Sequence, residues 1–175
     1  MARARRADRD GVDRRESRVA AGATTRGVAV NLLVFVTLAV TGFVACSEFG
    51  SYAFVHPVLR HLPGTERITV EKGLLKTFGR VMPVGMTLCV VLAVAVAIEG
   101  GGPGWLAWSA AVAFAVAVGF TVAVNVPINI ATGRWDPANP PAGWERTRRR
   151  WEFFQGVRSW LLLIGFVLVC AAGTV

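Results

Sequence analysis

The sequence predicts an all-α fold: an integral membrane bundle of four up-down helices, preceded by a disordered basic N-terminal tail. Of its 175 residues, 54% are hydrophobic, and the mean hydropathy of +0.51 is too high for an ordinary soluble domain. The apolar residues are also concentrated in four blocks, and a helix needs about 20 residues to cross a hydrocarbon core. Short links between the blocks favour antiparallel neighbours and hence one bundle.

Residues 1–26 are the predicted disordered tail, because they are rich in Arg and poor in large apolar side chains. Residues 27–175 are the predicted membrane domain. A net charge of +8 would suggest nucleic acid in a soluble protein, but these cations lie in the tail and the membrane flanks, where they suit anionic lipid headgroups. We therefore expect a multi-pass protein of the cell membrane, with lipids as partners and no nucleic acid. The sequence leaves a homo-oligomer open.

The four apolar blocks predict helices over about residues 28–56, 74–98, 105–130 and 151–175. The first ends near Pro57, which disfavours helical geometry at the residue before it. In residues 59–80, charged residues are interspersed with apolar ones, and this pattern predicts an amphipathic segment at the membrane interface that leads into the second helix. The Gly-rich link at 99–104 predicts an antiparallel pair of second and third helices.

Polar residues interrupt the first and third apolar blocks at regular spacing. Glu48, Tyr52 and His56 are four residues apart and share one helix face, which favours a polar stripe that points into a bundle. Asn125 and Asn129 are also four apart, with a proline between them that removes a backbone hydrogen bond. Two interpretations of these amides stay open: hydrogen bonding between packed helices, or a ligand or reaction site.

Up-down topology predicts that the unusual polar residues meet at one membrane face. The ends of helices one and three and the starts of helices two and four share that face. It carries Glu48, Tyr52, His56, Arg80, Asn125, Asn129, Gln155 and Arg158. This convergence favours one common polar pocket. The orientation stays open, because the arginines of the tail and the cations of the two polar loops argue for opposite sides.

Several of these residues suit acid–base chemistry. Glu48 and His56 are candidate general bases. Arg80 and Arg158 are candidate anion-binding groups, because a guanidinium presents a planar fork of donors. The alternative is structural: an interhelical ion pair between Glu48 and Arg158, with His56 at the headgroups.

The remaining polar residues suit an oxyanion better than a metal. Asn125, Asn129 and Gln155 can each donate a hydrogen bond to a developing oxyanion. No metal site is predicted, because the two histidines, His56 and His61, flank a proline and have no cysteine nearby.

In this order, the residues resemble the anthrone oxygenase family, a large set of small four-helix membrane proteins. The resemblance covers about residues 28–175 and rests on Glu48, His56-Pro57-Val58-Leu59, Met82-Pro83, Asn125-Val126-Pro127-Ile128-Asn129, Trp151 and Val157-Arg158. Members studied in aromatic polyketide pathways oxidise anthrones to anthraquinones with dioxygen and no dedicated cofactor. Gln155 departs from the pattern, since related sequences often carry His or Asn in that segment.

The resemblance implies an oxygenase without a cofactor, with dioxygen as co-substrate and a hydrophobic aromatic small molecule as substrate. Glu48 or His56 would be the base, and Arg158 with the two asparagines would hold the oxyanion. The implied substrate contacts are Tyr52, Arg80, Trp151 and Gln155. The alternative is a non-enzymatic membrane protein that binds a small molecule, a lipid headgroup or a partner subunit.

Overall fold

The computed structural model describes residues 2–99 and 103–174, with side chains from Gly22 onward. Its elements are α1 (Ala2–Gly50), a π-helical segment π1 (Ser51–Val55), α2 (His56–Leu59), α3 (Gly64–Glu99), α4 (Gly104–Phe120), a second π-helical segment π2 (Thr121–Asn125), α5 (Val126–Arg134) and α6 (Trp144–Thr174). Residues 100–102 of the predicted Gly-rich link lie outside the described residues.

Four helical stretches are long and apolar enough to cross a membrane, and they confirm the predicted class. Spans 1 to 4 are Gly22–Leu59, Gly64–Glu99, Gly104–Arg134 and Trp144–Thr174. Large apolar side chains cover their outer surface; Phe35, Phe43 and Val84 are each more than 60% exposed. Because such a surface is unfavourable in water, it belongs against lipid. The chain is a multi-pass membrane protein.

Small residues bring the helices of the bundle close together. Helix α1 packs against α3 and α6, and α4 packs against the same two helices. Phe114 of α4 is fully buried at the centre, and it lies over Gly165 of α6. A Cβ at Gly165 would lie 2.5 Å from the Phe114 ring, so only glycine fits. Close approach of this kind stabilises helix pairs in membranes. Lipid tails are as apolar as the helix surface, so the hydrophobic effect does not drive the helices together and packing must do so.

Two helices begin earlier than the sequence predicts. Span 2 begins at Gly64 rather than near residue 74, and span 4 begins at Trp144 rather than near residue 151. The added turns pack against each other, because Glu71 of α3 contacts Arg148 of α6 at 2.8 Å. The segment predicted to lie at the interface is therefore a continuous part of the second helix.

The other two differences are smaller. Span 3 continues to Arg134, past the predicted end near residue 130. Helix α1 extends back to Ala2 and thus through the segment predicted as a tail. Because the side chains of residues 1–21 lie outside the described part of the chain, disorder of the tail stays a prediction.

Candidate functional site

Each of the two π-helical segments ends two residues before a proline. In π1, the backbone N–H of His56 donates to the carbonyl of Ser51, five residues back, and π2 repeats this pattern before Pro127. A proline ring clashes with the carbonyl four residues back and disfavours α-helical geometry at the preceding residue. The wider π turn accommodates Pro57 and Pro127 without ending the span. Such turns are frequent at functional sites.

The π turns also change which residues share a helix face. In an unbroken α-helix, residues eight positions apart differ by about 80° around the axis. A π turn acts as one inserted residue and reduces that difference to roughly 20°. Glu48 and His56 are eight apart across π1, as are Thr121 and Asn129 across π2. All four line the same cavity.

This cavity lies between the four spans and has a volume of about 70 Å³. One wall is polar and comes mainly from spans 1, 3 and 4: Glu48, Ser51, His56, Thr121, Asn129, Arg148, Trp151, Gln155 and Arg158. The other wall comes from α3 and is apolar apart from Glu71: Leu74, Leu75, Phe78, Gly79, Met82 and Pro83. A water needs about 10–15 Å³ of such volume, so the cavity is large enough for several waters or for dioxygen.

A buried ion pair forms the deep end of the polar wall. Arg158 Nη2 donates to Glu48 Oε2 at 2.7 Å, and Gln155 Nε2 donates to the same oxygen at 2.8 Å. Arg158 Nη2 also contacts Gln155 Oε1, and its Nη1 donates to Thr121 Oγ1 at 3.4 Å. Glu48 is 1% exposed and Arg158 is 7% exposed. The four side chains Glu48, Thr121, Gln155 and Arg158 therefore join spans 1, 3 and 4 in one inner cluster.

A second, outer cluster alternates positive and negative groups and joins the end of span 1 to spans 2 and 4. Its order is Arg60, Glu152, Arg67, Glu71 and Arg148, with N–O distances of 2.8 to 3.1 Å. The guanidinium of Arg148 then lies 4.2 Å from the centre of the Trp151 ring, which lies 4.9 Å from the His56 ring. Cation–π and ring contacts thus connect the outer cluster to the cavity.

Buried polar atoms without a hydrogen-bond partner gather at the cavity. Within the described part of the chain they include His56 Nδ1, Asn129 Oδ1, Trp151 Nε1 and Arg158 Nε, all from residues that line it. Buried polar groups are nearly always paired, because an unpaired one keeps its full desolvation cost. One free imidazole nitrogen and two free N–H donors in the same lining are the groups that a polar ligand would pair with.

The structure places six of the nine predicted site residues at the cavity. These are Glu48, His56, Asn129, Trp151, Gln155 and Arg158. Asn125 is fully buried but does not line the cavity; its Nδ2 donates to the backbone carbonyl of Trp151 at 3.4 Å. It therefore holds span 3 against span 4, as the interhelical interpretation of the amides predicts.

The other two predicted residues lie outside the cavity. Tyr52 lies over Gly156, where a Cβ would be 2.7 Å from its ring, and lines a separate surface groove. The π1 turn explains this position. It shifts the helical register after Gly50, so that Ser51 rather than Tyr52 faces the cavity. Arg80 is exposed. The positions of α3 that line the cavity are three or four residues apart and include Phe78 and Met82, so Arg80 lies on a different face of the helix.

Sequence reasoning missed four polar residues of the lining: Ser51, Glu71, Thr121 and Arg148. Glu71 and Arg148 were assigned to the interface segment and the basic flank, yet each is 2% exposed. One signal was available, because Arg148, Trp151, Gln155 and Arg158 follow the three- and four-residue spacing of a single helix face. Among the described residues, no three His, Cys, Asp or Glu side chains come together as a metal site.

Four membrane helices around a buried polar cavity define a helical membrane protein with an internal site rather than a simple anchor. A family model described as anthrone oxygenase matches residues 74–168, more than half of the chain. The chain therefore belongs to the anthrone oxygenase family, and the resemblance read from the sequence is confirmed. The match includes Asn129, Trp151, Gln155 and Arg158, whereas span 1 precedes it. No curated protein and no solved structure matches the chain.

Proposed function

We propose that this protein is an oxygenase of the cell membrane that oxidises an anthrone-like aromatic with dioxygen at the cavity. The observation that carries the proposal is the set of unpaired polar atoms there. His56 Nδ1 has no partner and is a proton acceptor in the tautomer that carries its hydrogen on Nε2, and Arg158 Nε and Trp151 Nε1 are free donors in the same lining. A base and oxyanion donors in a buried site are what a carbanion reaction requires.

His56 is the base in this proposal, and Glu48 is the residue that positions Arg158. The Glu48 carboxylate already accepts hydrogen bonds from Arg158 and Gln155. A proton on Glu48 would neutralise the buried counter-ion of Arg158, which is costly. His56 Nδ1 has no such partner, so it is free to take a proton from a substrate carbon.

The reaction needs no electron source other than the substrate. His56 removes a proton from the methylene carbon, and the resulting enolate passes one electron to dioxygen. The substrate radical and superoxide combine to form a carbon–oxygen bond, and the peroxide anion takes up a proton. Loss of the second methylene proton then breaks the O–O bond and releases hydroxide, which becomes water. One methylene and one dioxygen give one ketone and one water, with dioxygen as co-substrate and no cofactor.

The oxyanion of the enolate would be held by groups already fixed in place. Arg158 is fixed by the inner cluster, so its Nε–H is oriented before substrate binds. Trp151 is fixed between His56 and Arg148, which orients its indole N–H. The Asn129 amide supplies a further polar group. Donors that need no reorganisation during the reaction contribute most to electrostatic catalysis.

The size of the cavity limits how a substrate binds. About 70 Å³ is enough for dioxygen and the reacting edge of an aromatic molecule, but not for three fused rings. Leu75, Gly79, Val126 and Asn129 line both this cavity and a surface groove of about 360 Å³ between α3 and α5. The rest of the ring system would lie in this mouth, which also contains Lys72, Lys76 and Arg80.

The test is oxygen uptake by the purified full-length protein with a panel of anthrones and hydroquinones, against empty detergent. His56→Gln should lower turnover by on the order of 10²–10⁴, the usual contribution of a general base. His61→Gln is the matched control, because His61 is exposed and outside the cavity. Equal uptake by wild type and His56→Gln would refute the proposed base. Loss of uptake on chelation would instead indicate a metal.

A second candidate is a non-enzymatic membrane protein in which the polar cluster is structural. The small volume favours it, since pockets that enclose a small molecule have about 300–1,000 Å³. This candidate predicts that folded wild type gives no uptake above empty detergent with any member of the panel.

A further inference from the structure

Arg80 stands where two surface grooves meet on α3. The first, here the cationic groove, runs between α3 and α5 and contains Lys72, Lys76 and Arg80. The second, here the apolar groove, runs between α1 and α3 and contains Phe43, Val84 and apolar neighbours. Arg80 is the charged residue of the apolar groove and lines both. A cationic site thus continues directly into an apolar one.

The cations of the cationic groove are available for an anion. No carboxylate lines this groove among the described residues, and none of the described acids pairs with Lys76 or Arg80. The two side chains are exposed and lie one helical turn apart on the same face. Lys72 differs, because its Nζ donates to the carbonyl of Trp135 at 2.7 Å.

The other cation-rich groove of the molecule shows the contrast. It lies between spans 1 and 4 and contains Arg60, Arg67 and Arg149, but Glu152 lies in the same groove. Glu152 pairs with Arg60 and Arg67, at 2.9 and 2.8 Å, and Arg149 pairs with Glu145 at 3.5 Å. Those cations are therefore largely neutralised, whereas Lys76 and Arg80 keep their full charge.

The apolar groove fits an acyl chain. From Arg80 to Leu88 it follows α3 for about 12 Å, at 1.5 Å per residue. Its volume is about 590 Å³, and Val40 and Phe43 of α1 form the opposite wall. A long arginine side chain at the end of an apolar groove is the usual arrangement at the boundary between lipid tails and headgroups.

We propose that α3 holds one anionic phospholipid, with its phosphate between Lys76 and Arg80 and an acyl chain in the apolar groove. Charge complementarity selects the headgroup, because a zwitterionic lipid would bring its own cation against two unpaired cations. The site is next to Gly79, which lines the mouth of the cavity, so the lipid phosphate and the proposed substrate would share one groove. Lipid binding can be measured without any activity of the cavity.

Native mass spectrometry of the full-length protein in detergent tests the site, with phosphatidylglycerol and phosphatidylcholine of identical acyl chains as probes. Wild type should bind phosphatidylglycerol more tightly. Lys76→Gln with Arg80→Gln should lower that affinity on the order of tenfold and leave phosphatidylcholine nearly unchanged. The matched control is Arg146→Gln with Arg150→Gln, which removes the same charge from exposed positions of α6 and should keep the preference.

A second pair of variants tests the acyl chain. Val84→Trp should fill the apolar groove and weaken binding of both lipids, whereas Val91→Trp, equally lipid-exposed on the same helix, should not. The proposal is overturned if the Lys76/Arg80 variant keeps the preference, if the α6 control loses it equally, or if Val84→Trp binds as wild type does.

Discussion

Replacement of Glu48 by leucine is the sharpest test of the inner cluster. Glu48 Oε2 lies 2.7 Å from Arg158 Nη2 and 2.8 Å from Gln155 Nε2, and both charged groups are buried. Leucine fills a similar volume but leaves the guanidinium without its counter-ion. Removing one partner of a buried ion pair typically costs about 3–5 kcal/mol. We expect the free energy of unfolding to fall by about that amount.

The double variant Glu48→Leu with Arg158→Met separates charge from packing. Replacing both members of a buried pair by apolar residues of similar volume is often neutral or stabilising. We therefore expect the double variant to recover most of the stability that the single variant loses. Denaturant titration of both variants in the same mixed micelles measures this difference. The reasoning fails if Glu48→Leu is as stable as wild type, or if the double variant is no more stable than the single one.

The same double variant also separates stability from the proposed chemistry. It keeps the fold but lacks the Arg158 Nε–H that would hold the oxyanion. Loss of one oxyanion donor commonly lowers the rate on the order of 10²–10³. Oxygen uptake at the wild-type rate by this folded variant would remove Arg158 from the proposed site.

Two further contrasts use the same unfolding titration. Gly165→Ala places a Cβ 2.5 Å from the buried Phe114 ring and should cost about 1–3 kcal/mol, whereas Gly119→Ala, with no atom within 4 Å, should be neutral or stabilising. Equal effects would contradict the packing of the core. Glu71→Ala removes a carboxylate that is 1% exposed and should cost about 3–5 kcal/mol, whereas Glu145→Ala removes one that is 62% exposed and should cost at most about 1 kcal/mol. A small effect at Glu71 would mean that the outer cluster does not hold the spans together.

The helix count and the polar face could be predicted, because they depend on patterns local to each block. Four apolar runs of span length leave few folds in a membrane, and short links set their order. The sequence left open whether Glu48 and Arg158 act in chemistry or form an interhelical ion pair, and the structure contains the ion pair. Its presence does not exclude a site, because the same guanidinium keeps a free Nε–H at the cavity.

Tyr52 and Arg80 could not be placed from spacing alone. The four-residue stripe assumes an unbroken α-helix, and the π1 turn changes the register at the very positions in question. A proline predicts some local break, but several geometries accommodate one. Arg80 and Glu71 are both charged residues of α3, but they lie on different faces of the helix. Which face lines the cavity depends on how α3 packs against the other spans.

The outer cluster and the cavity differ in how completely their polar groups are paired, and this difference distinguishes groups that hold the bundle together from groups that could bind a ligand. In the outer cluster every described charge has an opposite charge within 3.1 Å; Glu71 Oε2 and Arg148 Nε lack an aligned hydrogen bond, but they lie 2.8 Å from each other as an ion pair. At the cavity, His56, Trp151 and Arg158 each keep one buried polar atom without a partner. Stability alone favours the first arrangement and disfavours the second, because an unpaired buried group costs about 1–3 kcal/mol. The unpaired groups of the cavity therefore need another reason to be there, and binding of a polar reaction centre supplies one.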